Sequence, residues 1–110
     1  MKLIALQIKT TVNFQENLDE LKSLIISCEK DSIILAPELA LSEFSYDRME
    51  EASTFSSKAI EEIKSLSKDK IIALTFITKK ENKFFNTLYI FHHQQIIHIQ
   101  SKVKLFPLGN

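Results

Sequence analysis

Apolar positions along the chain change period several times. Leu3-Ile4-Ala5-Leu6-Gln7-Ile8, between Lys2 and Lys9, is a nearly continuous apolar run of the kind buried on both faces of a sheet. Phe14, Leu18, Leu21, Ile25 and Cys28 then recur at helical spacing. Asn13 and Glu16 stand before them as a capping-box pair, and together they predict an amphipathic helix. Ile33-Ile34-Leu35-Ala36 is a second short apolar run, ended by Pro37 and followed at once by Glu38. After a polar stretch from Ser42 to Ser53, the positions Phe55, Ala59, Ile60, Ile63 and Leu66 mark a second helix. Three more strand-like runs follow, Ile71 to Ile77, Phe84 to Phe91 and Ile96 to Lys102. The predicted order is β-α-β-α-β-β-β.

That order constrains direction. Helical crossovers make the first three strands parallel, and the short connections Lys79 to Lys83 and His92 to Gln95 read as hairpin turns. Two reversals restore the original direction, so the fifth strand runs parallel to the second. Glu38 leaves the end of the second strand and Lys102 the end of the fifth. Both are therefore expected on one rim, at the carboxyl ends of the strands, where open α/β sheets place their ligands.

Composition adds limits. A chain of 110 residues is one domain at most, and 14 basic residues balance 14 acidic ones with no block of like charge. This argues against nucleic acid or an anionic membrane as the main partner. The amino terminus MKLIALQIKT lacks the long apolar segment and cleavage site of a signal peptide, and one cysteine cannot close an internal disulfide. A cytoplasmic protein is expected. Metal and cofactor are not: His92 and His93 are adjacent and so point to opposite faces of a strand, and neither they nor His98 have a carboxylate or cysteine at ligand spacing.

The opening LIALQIKTTVNFQENLDEL, the segment APELALSEF, Asn86-Thr87 and SKVKLFP together resemble the amino-terminal part of a nitrilase-type carbon-nitrogen hydrolase, over nearly the whole chain. The resemblance puts Glu38 at the family's general base and Lys102 at its lysine. The glutamate would activate a cysteine nucleophile and the lysine would stabilise the tetrahedral intermediate from an amide or nitrile carbon. These roles are physically sensible, since a thiol needs a base near neutral pH and a fixed ammonium stabilises developing negative charge. Glu43 stands where the family has glycine and Phe44 where it often has tyrosine. Gln100, Ser101 and Lys104 replace the tyrosine, arginine and histidine around the lysine. The family's cysteine comes after the lysine segment, so residues 1–110 are expected to be the front part of a longer domain, cut before the nucleophile.

Other readings stand beside this one. Lys104, two positions from Lys102 on an extended chain, is a rival for the lysine. Cys28 falls on the buried stripe with Leu21 and Ile25 and is read as a core residue. The acidic Asp47 to Glu51 stretch is read as a solvated loop or a short helix start. The resemblance implies an α/β fold with one sheet and both helices on one face, half of a four-layer α-β-β-α sandwich. Its other face would be apolar and bare, so self-association is expected alongside a small amide or nitrile substrate and the missing carboxyl-terminal half. The alternative to an enzyme part is a non-catalytic α/β module that uses the same fold for binding or oligomerisation.

Overall fold

A computed structural model of the chain describes residues 1–106. Its elements are β1 (Lys2–Ala5), α1 (Phe14–Ser27), β2 (Ser32–Leu35), α2 (Met49–Ser65), β3 (Ile71–Lys80), β4 (Lys83–His92) and β5 (Gln95–Leu105). The five strands form one sheet in chain order, parallel from β1 to β3 and antiparallel from β3 to β5. This is the expected α/β arrangement, and β5 does run in the direction of β2. Residues 107–110, with the last residue of the SKVKLFP segment, lie outside the described residues.

Both helices cover the same face. Leu18, Leu21 and Ile25 of α1 and Ala59, Ile60 and Ile63 of α2 meet Ile34, Ile72, Leu74, Phe76 and Phe91 of the sheet in one buried cluster. Each fully buried Leu or Ile there is worth about 1.5–3 kcal/mol of transfer free energy. The helices are also tied side by side, Lys22 Nζ donating to Glu62 at 2.7 Å and Lys58 Nζ to Gln15 at 2.6 Å. The Asn13 side chain accepts from Glu16 N at 2.9 Å and caps α1. On the opposite face the outer strands are open: Leu3 is 67% exposed and Val103 55%.

Several boundaries differ from the expected ones. The first strand stops at Ala5 rather than Lys9, because its partner β2 ends at Leu35 and Pro37 has no N–H to continue a ladder. The second helix begins at Met49, well before Phe55, so the acidic stretch is a helix start, with Glu50 and Glu51 in the first turn and Asp47 before it. Met49, Ala52, Ser53 and Ser56 are all buried there, and small or flexible side chains let the helix approach closely. β5 runs on to Leu105. The two hairpin turns are two residues each, Glu81-Asn82 and His93-Gln94, all four with positive φ between 53° and 62°. Such turns match the right-handed twist of the flanking strands.

Leu21, fully buried in this cluster, tests the packing. Leu21→Ala is expected to lower the unfolding free energy by about 3 kcal/mol in urea titrations. Ile26→Ala, on the exposed side of the same helix, is expected to change it by less than about 0.5 kcal/mol.

Candidate active site

β2 ends at the Leu35–Ala73 pair while β3 continues to Lys80, so beyond that point β3 has no partner on one side. The segment 36–48 fills this place. Leu39 N donates to Thr75 Oγ1 at 2.7 Å. Thr75 alternates with the helix-facing Leu74 and Phe76, so this contact draws the chain onto the open face of the sheet. Buried Leu39 packs with Phe14, Met49, Ala52, Ile77 and Leu105 in a second cluster at the carboxyl-end rim. Glu38 sits immediately before it.

Three residues of this segment hold positive φ: Leu39 (51°), Glu43 (53°) and Ser45 (36°). The left-handed region is disfavoured for residues with a Cβ, on the order of 1 kcal/mol each. Glycine alone would adopt this region without that cost, and at Glu43 the chain accepts it with a side chain. Hydrogen bonds hold the strained path. Glu43 N donates to Leu39 O at 2.7 Å, Thr10 Oγ1 to Ala40 O at 2.7 Å, and Asn17 Nδ2 to Leu41 O at 2.6 Å. Asn17 also accepts from Thr11 N and donates to Thr11 O, both at 2.9 Å. One buried amide on α1 thus ties two loops together.

Lys102 reaches the same place from β5. Asn86 pairs with Val103 and Thr87 with Ser101, which leaves Lys102 as an extra residue in a β-bulge. A bulge re-aims the side chain it carries. Lys102 Nζ donates to Glu38 Oε2 at 2.6 Å. Strand spacing alone would put β2 and β5 roughly 14 Å apart, so the pair depends on the loop stepping across β3. Both side chains are about two-fifths exposed, and such a pair is worth roughly 0–1 kcal/mol. Lys104, beyond the bulge, instead lies over the Phe106 ring at 5.1 Å.

An open depression of about 640 Å³ adjoins Glu38 and is lined by Thr10, Ser42, Phe44, Tyr46 and Arg48 among others. The Phe44 and Tyr46 rings stack at 5.9 Å. Arg48 closes one wall: it lies 4.1 Å over the Phe14 ring, donates to Val12 O at 2.7 Å and forks onto Glu51 at 2.9 and 3.0 Å. That hydrogen bond holds the Glu51 carboxyl below its usual range, against a smaller opposing effect of desolvation. Its contribution is present above the ordinary carboxylate pKa and lost as pH falls through the lowered one, and exposure keeps it small.

The remaining sequence candidates lie elsewhere. Cys28 is not inside the helical core stripe; it is the residue that ends α1, half-buried, with Sγ donating to Leu24 O at 3.3 Å. It still packs against the core cluster. Because α1 runs back along the sheet, Cys28 is at the rim opposite Glu38. His92 and His93 stack on each other at 3.7 Å in the β4–β5 hairpin and His98 meets Gln100 at 3.2 Å. Among the described residues no group of three or more His, Cys, Asp or Glu side chains is placed to hold a metal ion, and no helix is long and apolar enough to cross a membrane.

The architecture has close structural counterparts. An amidase from Nesterenkonia sp. AN1, in which the acetamide moiety of fluoroacetamide is added covalently at the active-site cysteine, superposes with a TM-score of 0.77 at 14% identity. The match covers 96% of this chain and 44% of the amidase. A CN-hydrolase superfamily protein from Xanthomonas campestris gives 0.73 at 19% identity, over 94% of this chain and 40% of that one. Nit3 of Saccharomyces cerevisiae, a member of branch 10 of the nitrilase superfamily, gives 0.70 at 18%, over 94% and 44%. The fold is that of the carbon-nitrogen hydrolases. This chain forms one sheet and one helical layer of their sandwich and spans less than half the length of each of these three proteins. No protein-family model matches the sequence, and no curated protein matches it significantly.

The Asn17 tether generates a stability test. Asn17→Leu is isosteric enough to fit but leaves Leu41 O, Thr11 N and Thr11 O without the amide, and about 2–4 kcal/mol of stability is expected to be lost. A loss below about 1 kcal/mol in chemical denaturation would show that other contacts hold the two loops.

Proposed function

We propose that this chain carries the general base and the lysine of a carbon-nitrogen hydrolase acting on non-peptide amide, carbamoyl or nitrile carbons. The observation that carries the reading is the 2.6 Å contact between Lys102 Nζ and Glu38 Oε2, on the rim where an open α/β sheet binds its ligand. It brings a base and a fixed positive charge to one point, next to a depression large enough for a small acyl group.

In this reading Glu38 takes the proton of a cysteine thiol, and the sulfur attacks the substrate carbon. Lys102 stabilises the oxyanion of the tetrahedral intermediate, and Glu38 returns the proton to the leaving nitrogen. Glu38 then takes a proton from water as its oxygen attacks the thioester, and gives that proton to the departing sulfur as the acid leaves. A nitrile would first form a thioimidate, whose nitrogen leaves as ammonia only after a water has added. The nucleophile belongs to the other part of the sandwich. The one cysteine of this chain, Cys28, is at the opposite rim, half-buried at a helix end. The covering sheet would seal the open face that bears Leu3 and Val103, and copies of the assembled domain would associate.

A second reading is favoured by that same face. Exposed Leu3, Leu35 and Val103 suit a binding or oligomerisation module with no chemistry of its own.

The first test separates them, and the second checks where the nucleophile lies. In the domain completed with a nucleophile-bearing half, Glu38→Gln keeps the shape without the base and Lys102→Met removes the charge. Each is expected to reduce kcat about a hundredfold or more, with Lys104→Met much milder. An intolerant Lys104 beside a tolerant Lys102 would reverse the lysine assignment. The 110 residues alone are expected to show no turnover of simple amides, carbamoyl compounds or nitriles, because base and ammonium without a nucleophile lose nearly all rate. Turnover that vanishes in Cys28→Ser would move the nucleophile into this chain.

A further inference from the structure

On the open face of the sheet Asn86 is anomalous. It shares this face with Ile77, its partner on β3, and Val103, its partner on β5, yet it is 1% exposed while Val103 is 55% exposed. Its Oδ1 is buried and has no hydrogen-bond partner among the described residues. A buried carbonyl oxygen left unpaired costs about 1–3 kcal/mol, and an apolar side chain there would avoid that cost.

The register places Asn86 relative to the Glu38–Lys102 contact. Thr75, Leu88 and Gln100 form one row across β3, β4 and β5 on this face, and Ile77, Asn86 and Val103 form the next. Glu38 is held beside Thr75 through Leu39. Lys102 is the bulged residue between Gln100 and Val103. The contact between them therefore crosses β4 between Leu88 and Asn86. Leu88 has no side-chain acceptor, and Asn86 has an unused one.

We propose that Asn86 is a positioning residue whose Oδ1 accepts from the Lys102 ammonium when Glu38 no longer holds it. An ammonium has three donors and Glu38 engages one. The inference rests on the proposed roles of Glu38 and Lys102: once Glu38 has taken a proton it is neutral and a weaker acceptor, at the moment when the ammonium must stay in place for the oxyanion. A neutral amide retains the ammonium without cancelling its charge. An aspartate there would bind it harder and spend that charge.

The test uses the 110-residue chain with lysine labelled at ¹⁵Nζ, and reads hydrogen exchange of the Lys102 ammonium by NMR in the Glu38→Gln background. With Asn86 present the ammonium is expected to remain protected. Adding Asn86→Leu is expected to speed exchange at least about tenfold, the scale of one hydrogen bond to a charged group. Adding Asn86→Asp is expected to slow it below the Asn86 rate. Equal rates in the Asn and Leu forms overturn the proposal. Should the Leu form not fold, an Asp form exchanging no more slowly than Asn86 overturns it. A merely structural role for Asn86 would leave this single lysine signal unmoved. No turnover enters the measurement, so unchanged exchange sinks this inference alone, whereas full activity of a completed Glu38→Gln domain sinks the functional reading.

Discussion

Pro37 has no N–H to give to β3, and the parallel ladder between β2 and β3 ends two residues before it, at Leu35–Ala73. β3 runs on for seven more residues, Leu74 to Lys80, paired with β4 but with no strand on the β2 side, and that edge and the open face must be covered by something other than a strand. The segment 36–48 does this with turns, a buried leucine in a disfavoured backbone region and a hydrogen bond to Thr75. Glu38 is carried inward as a result. Had β2 continued, Glu38 would project from the sheet edge, two strands away from β5.

The Glu38–Lys102 contact is half-exposed and weak as a stabilising interaction. Its value lies in placement, since neither side chain is tied down by other hydrogen bonds among the described residues. Under a second sheet the surrounding dielectric would fall and the same two charges would interact more strongly. The strength of this contact would therefore depend on what covers it, while its geometry is set within this sheet.

Much of the fold could be read from the chain. Continuous apolar runs marked β1 to β3, and the stripe Phe14, Leu18, Leu21, Ile25 marked α1. Counting reversals brought Glu38 and Lys102 to one rim. For the start of α2 the sequence leaves a solvated loop and a short helix start both open, since Glu50, Glu51 and Ser53 read as solvent-facing and no side chain caps that end; burial of Met49 and Ala52 decides for the helix. Asn17 lies three residues from Phe14 and four from Leu21, on the buried stripe, but a polar side chain there gives no sequence signal of the two loops it ties. The bulge at Lys102 has no signal in sequence. It comes from the pairing of β4 with β5, and it is what separates Lys102 from Lys104, which simple alternation would leave on the same side.

Among the described residues β5 has a neighbouring strand on one side only. An eleven-residue edge rich in Ile and Val is a template on which another chain could stack, extending the sheet from molecule to molecule. Two extra residues, Ile97 and Lys102, interrupt its ladder and increase its twist, and Lys102 and Lys104 put charge along it. The irregularity that aims one lysine at a carboxylate thus also keeps the strand from serving as a seed for fibrous assembly.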